Sequence, residues 1–566
     1  MTDQTDSNAP PPTWHQIIAR IAASPAGLWG IVIAIMLVVL IGHQTLGVMD
    51  RDEARFAQAS KQMLESGDFI TPYFMDEIRA KKPIAIYWLQ SASAAIFGVD
   101  DISSYRLPSL LGLIVSLFLV YHFTASLWEG KHAALQGFIA AGLLVSSPLI
   151  LAEAHLAKTD SVLLAVLIFQ QFMLWRIYRD RHLERPPRHW FGFWSALAVS
   201  ILLKGPIGPG LAVITIAGLV ITERKTGWLK TLYWGRGLLW ASIVVLPWVI
   251  AVSYATDGAF LDIAVKGDFL AKIQSGQESH GAPPGTYLVI SAVLLWPACI
   301  FAGFIGWLGK AIFRQDASRF CAVWAIGYWL LIELIPTKLP HYILPAFPAV
   351  VMLISHALLS TDSDGKKLQV RIADLFYVIG GLAGIGLIAL LVWASITHSG
   401  PSGGRALVFC LVCVCLGGYV VKLVYDWRAE RRFGHFVLII ITGLVFNGFA
   451  IAGVVAALED IHVSGRLAKI TNAINPPPSA IAIAGYHEPS MVFHMGKELL
   501  FVTEIEAGLF MAEAQDGLAI IEVRHKDSFI EITNQLGLTL KQLDIIDGFN
   551  ISKGQPIRLI LYQPAN

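Results

Sequence analysis

Along the first four fifths of the chain, apolar residues gather into long runs separated by short polar stretches. The runs fall at about 28–47, 105–125, 133–152, 161–178, 190–203, 207–221, 237–255, 287–308, 320–335, 342–359, 372–395, 405–425 and 435–457, near the length of about 20 residues that crosses a bilayer. The pattern predicts a polytopic α-helical membrane protein with about 13 transmembrane helices. The pair 190–203 and 207–221 is short and must turn at Lys204-Gly205-Pro206. Basic residues recur in alternate loops, as at Arg176 to Arg188, Arg224 to Arg236, and Lys310 to Arg319, which orients those loops to the cytoplasm. An odd number of spans then carries 48–104, 153–160, Lys204, 256–286, 336–341 and everything after 457 to the outer side. Residues 1–27 read as a cytoplasmic tail, and 28–457 as the membrane domain.

After about 460 the period changes. AIAIAG (480–485), MVFHM (491–495), LLFV (499–502), AIIEV (519–523) and IRLILY (557–562) read as strands, with helical patterns near 504–514 and 526–537. Alternating strands and helices predict a small α/β domain over 458–566, capping the outer face.

Composition agrees with the membrane reading. Hydrophobic residues make up 55% of the chain and charged residues 15%, against about 25% charged in soluble domains. A net charge of +1 gives no reason to expect nucleic acid. The five cysteines all sit in apolar runs, which excludes a disulfide framework or a zinc knuckle.

Candidate chemistry concentrates on the predicted outer side, above all in the loop 48–104. Phe56, Ala59, Met63 and Leu64 recur at helical spacing behind Asp50, Asp52 and Glu53, so an amphipathic helix begins at a cluster of carboxylates. Neighbours on a helix diverge by about 100°, so one of Asp52 and Glu53 can face a reaction cavity while the other caps or pairs. Lys82 precedes a proline, which favours an extended backbone and presents the ammonium at the membrane surface. Glu153, His155, Lys158 and Asp160 cluster in EAHLAKTD, and Lys204 interrupts an apolar run, where an ionisable residue is a functional candidate by default. Lys338 and His341 lie in the proline-bounded PTKLPHYILPAFP. Glu278 and His280 are two apart in another outer loop, too few by themselves for a metal site.

These pieces, in their order, resemble a known family. RDEARFAQASKQMLESGDFITP, KKPIAIYW, HLAKTDS, LLKGPIG, TKLPHYILPAFP and GYHEPSMVF are similar to segments of the bacterial aminoarabinose transferase and protein O-mannosyltransferase superfamily, membrane glycosyltransferases of the GT-C type. The resemblance implies a polyprenyl-phosphate-linked sugar donor and transfer on the periplasmic side of the bacterial inner membrane. Lipid A or another lipopolysaccharide component is the favoured acceptor, and protein Ser/Thr the second. By motif, Asp52 matches the essential first-loop aspartate, Asp160 the second aspartate, and Lys82 and Arg55 the basic residues on the donor phosphate. With Glu53 these are the expected catalytic carboxylates, and Lys204 and Lys338 join the expected phosphate-binding cations. Relatives often carry, before the Lys-Pro step, a glutamate associated with zinc; here that position is Lys81. A divalent metal is therefore no firm expectation, with Glu278, His280 and His155 as its candidate ligands. The competing readings are a transporter or flippase of lipid-linked sugars, against which the absence of an internal repeat counts, and a non-catalytic envelope assembly subunit.

Overall fold

The computed structural model describes residues 13–183, 188–264, 281–360, 367–400, 404–430, 432–514 and 516–565. Among these, nine helices are long and apolar enough to cross a membrane, or eleven if two sharply bent pairs each count as one span. The bent pairs are Ala133–Val145 with Pro148–Ala154, at 69°, and Thr286–Leu294 with Ala298–Leu308, at 119°. Prolines at 148 and 297 sit at the two bends and break the backbone ladder there. The other two expected spans are His189–Lys204 and Ile207–Glu223, which fold back on each other at Gly205-Pro206 and are shorter than a full crossing. The protein is thus a multi-pass membrane protein.

Four helices position the site. The first span, α1 (Pro25–Thr45), leads into α2 (Asp52–Ser66), an amphipathic helix outside the bundle. Phe56, Ala59 and Met63 of α2 are buried, as the helical spacing requires, and Phe56 packs against Tyr87 with ring centroids 5.5 Å apart. Beyond α2, the short hairpin β1 (Tyr73–Phe74) and β2 (Glu77–Ile78) returns the chain to the membrane surface. The spans α3 (Ile102–Leu127) and α4 (Asp160–Arg179) then pack side by side. Gly112 permits their close approach, because a Cβ there would lie 2.8 Å from the Ser161 backbone.

The C-terminal part is a five-stranded sheet flanked by helices. Its strands are β3 (Ile481–Ala484), β4 (Leu500–Val502), β5 (Leu518–Glu522), β6 (Leu540–Asn550) and β7 (Gln555–Pro564), in the order β4-β3-β5-β7-β6. β3 runs parallel to β4 and β5, while β7 is antiparallel to both β5 and β6. β5 is buried along its whole length, and its residues alternate between two cores. Leu518 and Ile520 join Leu467, Ile483 and Leu561 on one face; Ala519 and Ile521 join Met511, Phe529 and Ile560 on the other. That is the signature of a central strand covered on both sides.

Two elements differ from expectation. MVFHM is no strand but part of the helix α5 (Pro489–Met495). A five-residue apolar run carries too little periodicity to separate the two, and Pro489 in the first helical turn supplies the start signal. The long edge strand β6 was not expected, because one side of it is exposed and its sequence, LKQLDIIDGFN, mixes polar and apolar residues without a continuous apolar run of strand length.

Candidate functional site

Glu53 shows how the first loop is anchored. Its Oε1 accepts from Arg106 Nε at 2.8 Å and from the Ala157 N–H at 2.8 Å. Its Oε2 accepts from the Arg106 guanidinium at 2.9 Å and from the Met49 N–H at 2.8 Å. Arg106 spends its remaining donors on the backbone carbonyls of His43, Leu46 and Gly47. Both side chains are essentially inaccessible, at 0% and 1% exposure. Burial would raise the Glu53 carboxyl, but Arg106 outweighs it and holds the group below its ordinary value. The pair ties the end of α1, the start of α2, α3 and the loop before α4 into one joint. Glu53, expected among the catalytic carboxylates, is structural; all four of its strong acceptor contacts are internal.

Asp52, one residue earlier, turns the other way and is accessible to solvent. Burial by the surrounding walls would raise its carboxyl, but the nearby charges of Lys158, Arg79 and Lys82 outweigh this and lower it, so the group stands ready as a carboxylate. Arg79 was not anticipated. It is buried, donates to the Tyr87 hydroxyl at 3.1 Å, and lies 4.8 Å over the Phe56 ring. Its signal was present in the sequence as a third cation just before Lys81-Lys82, in a stretch too polar to stand out.

Opposite α2, the loop 155–159 and the start of α4 supply a second charged layer. The Lys158 ammonium donates to Glu153 Oε1 at 3.1 Å and lies 4.0 Å from Asp160 Oδ2. Burial pushes the Lys158 ammonium toward neutrality, but Glu153, Asp160 and Asp52 raise it and keep it charged. The Lys204 ammonium donates to Asp160 Oδ1 at 2.5 Å and stands 5.7 Å from the Tyr342 ring. His341 brings Nδ1 to 3.9 Å from Glu153 Oε1. Beside this layer a small pocket is lined by Leu163, Leu164 and Leu167 together with Asp160, Lys204 and His341, so apolar and charged side chains share its wall.

The remaining candidates separate. Lys82 donates to the Lys81 carbonyl at 2.9 Å and contributes its charge to Asp52. The charge of Arg55 acts on Asp50. Lys338, expected on the donor phosphate, is structural. Its ammonium donates to the carbonyls of Ile332, Glu333 and Ile335 at 2.8, 2.7 and 2.8 Å, which uses all three protons and caps the helix Asp316–Leu334.

Of the metal candidates, His155 alone lies among the described residues. His155 packs edge-on against His43 with ring centroids 6.0 Å apart, and its Nδ1 donates to the Leu151 carbonyl. Glu278 and His280 lie outside the described residues. Among the described residues, Glu153, Asp160 and His341 have donor atoms within 4.8 Å of one another. Both carboxylates already hold an ammonium ion, and Glu153 Oε2 is the one carboxylate oxygen there that is buried without a hydrogen-bond partner. Lys158 and Lys204 would have to release those oxygens before the three side chains could take a divalent ion.

Residues 81–250 match the family model described as dolichyl-phosphate-mannose-protein mannosyltransferase. An undecaprenyl phosphate-alpha-4-amino-4-deoxy-L-arabinose arabinosyl transferase of Pseudomonas fluorescens is 27% identical over 69% of this chain and 66% of its own length. The corresponding transferase of Erwinia tasmaniensis is 24% identical over 64% of this chain and 65% of its own length. The chain thus spans just under two thirds of these relatives. The crystal structure of ArnT from Cupriavidus metallidurans bound to undecaprenyl phosphate covers 95% of this chain and 98% of its own, with a TM-score of 0.75 at 16% identity, and shares the fold.

Proposed function

We propose that this chain, a member of the aminoarabinose transferase and protein O-mannosyltransferase-like family of GT-C membrane glycosyltransferases, moves a sugar from a polyprenyl-phosphate donor to an acceptor at the periplasmic face of the bacterial inner membrane. The observation that carries this reading is the gathering of the Lys204–Asp160 and Lys158–Glu153 pairs near the Asp52 carboxylate, beside an apolar wall of Leu163, Leu164 and Leu167. A polyprenyl phosphate has the same division, an apolar chain ending in an anion at the membrane surface. The names of the relatives point to undecaprenyl phosphate as carrier and aminoarabinose as the sugar to test first. Lipid A is the favoured acceptor and a protein hydroxyl the second.

In the reaction the acceptor oxygen bonds to the anomeric carbon as the bond from that carbon to the phosphate oxygen breaks. The electron pair leaves with the lipid phosphate, and inversion follows from direct displacement. Lys82, Lys158, Lys204 and Arg79 stabilise the charge that grows on the leaving phosphate, a contribution that is largest in a site of low dielectric constant. Asp52 takes the proton of a hydroxyl acceptor, or orients an acceptor phosphate that is already ionised. The low-lying carboxyl of Asp52 keeps it ionised at neutral pH, which favours orienting an acceptor or balancing positive charge at the anomeric carbon over strong proton abstraction. The basic stretch at the far end of α4, from Arg176 to Arg188, supports a cytoplasmic placement of that face, and hence a periplasmic site.

The test is transfer by purified enzyme from undecaprenyl phosphate-4-amino-4-deoxy-L-arabinose to lipid A, read by mass spectrometry, with Asp52→Asn alongside. Asp52→Asn is expected to reduce turnover by about 10²–10⁴-fold while the protein keeps its melting temperature. Near-normal turnover by that variant would remove Asp52 from the chemistry.

A further inference from the structure

The residues just before Asp52 are held from outside the membrane bundle. Arg51 has φ 63° and ψ −102°, in the left-handed half of backbone space. A non-glycine residue in such a region costs on the order of 1–3 kcal/mol and persists only where its surroundings over-determine it. No side chain caps the N-terminus of α2. Beside the Glu53–Met49 bond described above, contacts on this backbone come from two turns of the C-terminal part.

The first turn joins β6 to β7, where the Ser552 carbonyl accepts from the Arg51 guanidinium at 2.5 Å. The second follows β3, where the Ser490 N–H donates to Asp50 Oδ1 at 3.2 Å. Glu488 fastens these turns to each other. Its Oε1 accepts from Asn550 Nδ2 at 2.9 Å and its Oε2 from the Ser552 hydroxyl at 2.8 Å, and the residue is only 5% exposed. Alongside, Phe493 of α5 packs edge-on to Tyr105 at 5.7 Å and shares a core with Ala54 and Ala57 of α2. A continuous path therefore runs from Glu488 through Ser552 to Arg51, whose backbone sets the direction in which Asp52 leaves the helix.

We propose that Glu488, Asp50 and Arg51 form a positioning latch through which the C-terminal sheet aims Asp52. They touch neither donor nor acceptor and act on turnover. The inference rests on the transferase reading of Asp52. Its physical basis is the steep dependence of a displacement on geometry, where a misplacement of about 1 Å costs on the order of 10²-fold in rate. Losing the Glu488 carboxylate frees Ser552 and Asn550, loosens the Arg51 acceptor and lets the strained backbone relax.

The experiment uses full-length enzyme with the donor named above. Glu488→Ala is expected to lower kcat at least tenfold with the donor KM within about twofold of wild type, and to speed amide hydrogen exchange over residues 49–55. Glu488→Gln keeps an acceptor for Asn550 and is expected to restore most of kcat. Arg51→Gly removes the tether without touching the interior of the sheet; it is expected to repeat both effects, and it decides the matter should Glu488→Ala fail to fold. Unchanged kcat, unchanged exchange, or a rise in KM at constant kcat would overturn the latch. A wild-type enzyme that makes no product from this donor would count against the transferase reading instead. The exchange measurement then still decides whether the latch holds the loop.

Discussion

Glu53→Gln separates structure from chemistry in the first loop. The substitution keeps the shape of the side chain but replaces a carboxylate that four donors converge on, two from Arg106 and one each from Met49 and Ala157. An amide can still accept at one oxygen, but its NH2 group is directed at other donors. Arg106, at 0% exposure, is then left as a buried cation facing only carbonyls. Breaking a buried ion pair from one side costs about 3–5 kcal/mol. For a chain of this size the cost corresponds to a fall in melting temperature of roughly 2–4 °C. The assay is thermal unfolding of detergent-purified protein, followed by intrinsic tryptophan fluorescence, beside transfer measured well below the transition. Residual turnover at low temperature is expected to stay within about tenfold of wild type, since Glu53 meets no open part of the site. An unchanged melting temperature together with abolished transfer would refute the structural assignment and return Glu53 to the reacting groups.

Lys338→Met is expected to lower the melting temperature and leave the donor KM within twofold, as read in the same two assays, because its three protons cap a helix. Lys204→Gln is expected to raise the donor KM by about tenfold or more, since it removes the cation paired with Asp160 beside the pocket, and hydrogen bonds to charged groups are worth about 1.5–3 kcal/mol; titration with undecaprenyl phosphate as inhibitor checks it. Asp50 supplies a pH dependence. Burial and then the neighbouring Glu488 push its carboxyl up to about 6, against the lowering effects of Ser490 and Arg55, while Tyr486 also faces it. A carboxyl raised on folding favours the folded state when protonated. This contribution is complete below about pH 4 and is lost as pH rises to about 6. Melting temperatures of wild type and Asp50→Asn between pH 4 and 7 should therefore differ by an amount that changes across this window; a constant difference would contradict the assignment.

Much of the architecture was legible because bilayer spanning imposes a strict length and polarity on each helix. Lys204 stood out for the same reason, as a charge where hydrocarbon was expected. Arg106 carried that signal too but lay at the edge of its run, where a charge looks like a helix end. Roles within the first loop were harder to read. Asp52 and Glu53 are adjacent carboxylates, and only Arg106, half a hundred residues away in the chain, decides which one is occupied. Lys338 shows the same limit from the cation side, since its acceptors are backbone carbonyls, which every sequence contains. The α/β character of the C-terminal part followed from β3 and β5, whose apolar runs reflect cover on both faces. β6 escaped because an edge strand needs only one apolar face.

The folded-back pair His189–Lys204 and Ile207–Glu223 has a consequence for the lipid around it. At 1.5 Å per residue its 16 and 17 residues reach about 24–26 Å, several ångströms short of a hydrocarbon layer about 30 Å thick. A bilayer meets such a deficit by thinning beside the short helices. Under the proposed transfer, head groups that sink beside these helices come closer to the Lys204–Asp160 pair, so a lipid carrier would reach it without being lifted out of its leaflet. Membrane thickness thereby becomes a variable of substrate access.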